Sequence, residues 1–79
     1  MCDRQLIVGG FYRHFKGAEY QVLNVARHSE TREVHVVYQD MHGGVWVRPY
    51  DMFMSKVDEE KYPDAKQKYR FQHPSERTE

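Results

Sequence analysis

A chain of 79 residues has room for one small domain, and a domain this size buries too little apolar surface to be more than marginally stable by itself. Twelve Lys and Arg against twelve Asp and Glu leave no formal net charge, which excludes the diffuse positive field behind non-specific binding to polynucleotides or anionic membranes. The single cysteine, Cys2, excludes an internal disulfide and points to a reducing cytoplasm; no apolar run is long enough to span a membrane, and residues 1–10 lack the features of a signal peptide.

From residue 9 onward the pattern is one of short period-two runs broken by turn residues, which predicts antiparallel strands. The first run, Phe11-Tyr12-Arg13-His14-Phe15-Lys16, lies between Gly9-Gly10 and Gly17 and sets Tyr12, His14 and Lys16 on one face. The second, residues 20–28, places Tyr20, Val22, Asn24, Ala26 and His28 on one face and Gln21, Leu23, Val25 and Arg27 on the other. Both faces carry apolar groups, as suits a tightly curled sheet. A polar hairpin loop over residues 29–33 leads into Val34-His35-Val36-Val37-Tyr38-Gln39, and Asp40-Met41-His42-Gly43-Gly44 forms the next turn.

Val45-Trp46-Val47-Arg48 follows, with the only tryptophan two residues before an arginine, so that both side chains share a face. Pro49 pre-sets a helical φ and Phe53 is four residues from Val57, which predicts one short helical turn over 49–54 plugging a barrel. After Val57 the composition turns polar and charged, although Tyr69 and Phe71 alternate with Arg70 and Gln72. The expected organisation is a lead-in over 1–9, an all-β, SH3-like antiparallel barrel over 10–57, and a charged tail over 58–79. The tail has room for an edge strand over 68–72 and is expected to be mobile from His73. Aromatics make up 14% of the chain, so they must supply much of the core, and apolar surface left over favours a homo-oligomer, most simply a dimer.

The motifs Tyr12-Arg13-His14-Phe15-Lys16-Gly17, Tyr20-Gln21-Val22, Ala26-Arg27-His28-Ser29-Glu30, Val37-Tyr38, Trp46-Val47-Arg48-Pro49 and Met52-Phe53 occur in that order. Their succession resembles the family of domain of unknown function 1653, a set of short bacterial and phage proteins. The resemblance covers roughly residues 10–57; it implies a small β-barrel and no particular activity.

Seven residues are the candidate ligand-binding set: Tyr12, His14, Lys16, His28, Tyr38, Trp46 and Arg48. If they converge, they supply stacking surfaces and hydrogen-bond donors suited to a base joined to phosphate, with arginine offering a planar fork. In so small a domain the same rings are needed for packing, and for Tyr12, Phe15, Tyr20, Trp46 and Phe53 the core has the stronger claim. Trp46 is expected to serve fold and site together, and Arg48 chiefly the site.

No metal site is expected: His28, His35 and His42 recur every seven residues, which on strands sends neighbours to opposite faces. No catalytic residue and no cofactor is expected either. His28-Ser29-Glu30 holds the letters of a triad, but triads are assembled from distant segments, and His14 with His28 as an acid and base pair is the remaining enzymatic option. Two readings follow. The first is a non-enzymatic binder of a small phosphorylated, nucleotide-like molecule, of use to a phage as a sponge for a host immune signalling nucleotide. The second is an interaction module docking a peptide or RNA segment. The first calls for an enclosed site, the second for an open groove.

Overall fold

Short turns with left-handed residues cut the chain into strands. A computed structural model of the protein describes residues 4–76; Cys2 lies outside them. Strand β1 (Phe11–His14) turns at Gly17 into β2 (Glu19–Arg27), a loop with Arg32 at positive φ leads to β3 (Val34–Asp40), and a turn through Gly43 leads to β4 (Val45–Pro49). The helical turn α1 (Tyr50–Phe53) follows, then β5 (Phe71–Gln72) and a 3-10 turn, Pro74–Glu76. Every pairing is antiparallel, in the order β4-β3-β2-β1-β5. This is a small, barrel-like, all-β fold of SH3-like order, and no helix before Asp58 exceeds one turn. No helix is long and apolar enough to cross a membrane among the described residues.

The fifth strand comes from the polar tail. Phe71 stands opposite His14, and residues 55–57 pair with 68–70 on the other side, through a Lys56–Tyr69 bridge and the bonds Val57 N–H to Lys68 O and Arg70 N–H to Ser55 O, each 2.9 Å. The described tail is thereby tied to the barrel, and His73, expected to be loose, sets its ring 5.4 Å from Tyr12. The lead-in is tied too. Arg4 donates to the carbonyls of Met54 (2.7 Å) and Phe71 (2.6 Å), and its guanidinium lies 3.8 Å from the Tyr69 ring centre.

The core forms on the inner face, where Tyr12, Val22, Val36, Tyr38, Phe53, Met54 and Phe71 are buried. Phe53 stacks on Phe71 with centres 4.2 Å apart and planes 8° from parallel, while Tyr12 and Tyr38 approach Phe53 at 5.5 and 5.3 Å. Burying each such ring contributes about 1.5–3 kcal/mol, and α1 is the wedge that delivers Phe53.

Strand β2 does not keep one alternation throughout. Val22 pairs with Tyr38 but Asn24 pairs with Val37, so an irregularity falls between them at Leu23. A bulge inserts one residue and shifts every later side chain to the opposite face. Beyond it Val25, opposite buried Val36, takes the inner side, and Asn24 and Ala26 turn outward.

Candidate functional site

Phe71 is the floor of a cluster at one end of the inner face. Strand β1 brings His14 to 4.9 Å from its ring, β2 and β3 bring Tyr20 and Tyr38 to 5.6 and 5.5 Å, and β4 brings the Arg48 guanidinium to 5.5 Å. Arg48 Nε donates to the Tyr38 hydroxyl at 3.3 Å, which aims the guanidinium along the rings. Arg70 enters from the tail, its Nε donating to Ser55 Oγ at 3.3 Å while its carbonyl accepts from Phe15 N–H at 2.9 Å.

His14 Nδ1 accepts the N–H of Lys16 at 3.1 Å, so the neutral ring carries its proton on Nε2 and can donate from there. Partial burial pushes its pKa below the ordinary 6.5, and the charges of Arg48, Arg70 and Lys16 push the same way. Three cations thus act on one imidazole. Among the described residues no carboxylate lies within 4 Å of His14, Lys16, Arg48 or Arg70; the ion pair the sheet does carry, His35 Nε2 to Glu33 Oε1 at 3.6 Å, is elsewhere. Positive charge thus gathers beside buried aromatic rings with no paired carboxylate among the described residues, and such an arrangement can accept an anion.

Trp46 stands on the same face of β4 as Arg48, opposite Tyr38. Its Nε1–H donates to Asp40 Oδ2 at 2.8 Å, and Asp40 Oδ1 accepts the N–H groups of His42 and Gly44, also at 2.8 Å. The indole bond, then those to Gly44 and His42, holds the Asp40 carboxyl below the usual carboxylate range. A Cβ on Gly44 would stand 2.7 Å from Asp40 Oδ2, so only glycine lets the carboxylate sit there. The result is a 54% exposed indole tethered by a hydrogen bond, and not the core ring expected of it.

Of the seven candidate residues, His14, Tyr38 and Arg48 come together, Lys16 acts on His14 through its charge while its ammonium lies 5.3 Å from the Tyr62 ring, and Trp46 flanks them. Two are corrected. Tyr12 is 1% exposed and accepts the Ile7 N–H at 3.0 Å on its hydroxyl, so it belongs to the core and cannot touch a ligand. His28 lies on the outer side, because the bulge at Leu23 reverses the alternation that grouped it with Tyr20. Its Nδ1 caps the loop by accepting from Glu30 and Thr31 at 3.2 and 3.3 Å. His14 and His28 therefore face away from each other and do not form an acid and base pair. Arg70 and Tyr20 line the cluster and the candidate set omitted them, while Phe71, as buried as Tyr12, packs beneath it as core; the alternation of Tyr69 and Phe71 was the available signal for the tail pair.

Among the described residues no three metal-ligating side chains gather; the His28 and His35 ring centres are 6.2 Å apart. A family model described as protein of unknown function (DUF1653) matches residues 10–73. The chain belongs to this family. The DUF1653 match runs past Val57 and takes in Arg70, Phe71 and His73, the part of the tail that completes the sheet and the cationic cluster. No curated protein and no solved structure matches the chain.

Proposed function

We propose that this DUF1653 protein binds a small phosphorylated, base-bearing molecule without altering it. The observation that carries this reading is that His14 and Arg48 stand against Phe71 with the charges of Lys16 and Arg70 acting on His14, and that among the described residues no carboxylate lies within 4 Å of the four. The phosphate sits among these donors, and the base stacks on the exposed face of Trp46, which Asp40 holds in place. Tyr38, 5% exposed, orients Arg48 and does not itself stack. A chain with no net charge gains nothing from long-range attraction, so a few directed, charge-assisted bonds must supply the affinity. A binder of this kind acts stoichiometrically, as a phage sponge for a host nucleotide signal would.

The exposure of Trp46 and Lys16 leaves the cluster open on one side, and this favours a second reading, an interaction module for an RNA or peptide segment. Incubation with a panel of linear and cyclic nucleotides separates the two. Depletion of one member, with the intact molecule recovered on heating, is the expected result. Arg48→Ala and Arg70→Ala should each weaken binding by about ten- to a hundredfold, the worth of one charge-assisted bond of about 1.5–3 kcal/mol. A cleaved product would mean an enzyme, and binding of an RNA or peptide with no nucleotide depleted would establish the module.

A further inference from the structure

The sheet ends on β4, and among the described residues no strand pairs with its outer edge. The hairpin determines which backbone groups that edge presents. Asp40 N–H donates to the Gly44 carbonyl at 2.9 Å, and the pairing runs on through Gln39 with Val45, Tyr38 with Trp46, Val37 with Val47, and Val36 with Arg48. Bonded and non-bonded pairs alternate along an antiparallel ladder. Trp46 and Arg48 therefore turn their N–H and C=O groups to β3, and Val45, Val47 and Pro49 turn theirs outward. Pro49, which has no N–H, stands where β3 needs no donor.

From Val45 to Val47 this edge lacks the devices that discourage strand pairing: there is no charge, proline or bulge there, and the three side chains are 57, 54 and 63% exposed. We propose that β4 pairs with β4 of a second copy of this chain, antiparallel about a two-fold axis, with Trp46 on the axis and Val45 opposite the partner's Val47. That register forms two reciprocal bonded pairs and leaves Pro49 outside the ladder.

A second copy is favoured over a foreign strand because it completes both faces. It adds two valines on the outer side beside Val45, Val47 and Val37, and an indole beside Trp46 on the inner side, where a foreign strand would find only the outward groups of Val45 and Val47. The pairing is isologous, so the contact of Val45 with the partner's Val47 is made twice. The assembly depends on the edge and not on any ligand.

Sedimentation of the full chain, read together with the emission of its only tryptophan, is the test. The wild-type chain is expected to sediment at twice its 9.5 kDa mass, with emission moving to longer wavelength as dilution separates the copies. V45K/V47K should keep the far-ultraviolet circular dichroism of the wild type and raise the dissociation constant by more than about a hundredfold. If the double variant fails to fold, V47K alone carries the same test. A wild-type monomer at the highest soluble concentration, or a dimer that the lysines leave intact, would overturn the proposal, as would a dimer broken by Phe11→Ser on the outer face but not by V47K.

Discussion

The two edges of the sheet are both short strands carrying an aromatic residue, Trp46 on β4 and Phe71 on β5, yet they end in opposite ways. At β5 the chain doubles back, residues 55–57 pair with 68–70, and Arg4 reaches across to the carbonyls of Met54 and Phe71, leaving Phe71 1% exposed. At β4 no strand returns among the described residues, and Val45, Trp46 and Val47 stay more than half exposed. Hydrophobicity did not decide which edge was sealed; the path of the chain after α1 did. The sealed edge holds the core ring beneath the cationic cluster, and the open edge holds the exposed indole and valines on which both proposals rest.

The contrast can be broken most directly at Phe71. Truncating a fully buried ring stacked on Phe53 should cost about 3–5 kcal/mol in urea unfolding, and a loss under about 1 kcal/mol would mean the tail strand is not part of the core. Arg4→Ala comes next, with about 2 kcal/mol expected from the loss of its charge-assisted bonds. Arg4→Lys should restore only part of this, since an ammonium has no fork to reach both carbonyls. At the open edge, Trp46→Ala measured in dilute solution should change stability by only about 0.5 kcal/mol; a loss on the scale of Phe71→Ala would show that the indole is a core residue after all.

The smallest effect is the pH dependence of His14. Its pKa in the folded chain lies below 6.5 because of partial burial and the nearby Arg48, Arg70 and Lys16. The unfolded chain therefore takes up the proton first. The stability contributed by the neutral ring is present above about pH 6.5 and is lost as pH falls through the folded value. His14→Gln should flatten that part of the stability curve. A bound phosphate offsets the three cations and raises the His14 pKa, so ligand binding should tighten as pH falls through the same window, and titration calorimetry in buffers of different ionisation enthalpy should register proton uptake.

Strand periodicity, turn glycines and the Pro49 turn were all legible, because each is a local matter of which face a side chain takes or which φ a residue tolerates. So was the pairing of Trp46 with Arg48 on one face, two residues apart on a strand. His28 was misplaced because the bulge at Leu23 leaves no local mark: its neighbours alternate acceptably in either phase, and only pairing with β3 selects one. Arg70 was missed because it lies in a stretch whose composition reads as solvated tail, and only the bonds to residues 55–57 and β1 bring it to His14.

The amino-acid sequence by itself determined the fold class, the order of the elements and the residue types available to hold an anion, since short-range sterics and alternation govern those. Tertiary structure alone decided that Tyr12 is core, that His28 points away, that Arg70 and Phe71 complete the cationic cluster, and that one sheet edge is closed while the other stays open. Each of these depends on contacts between residues far apart in the chain, whose energy no local window contains.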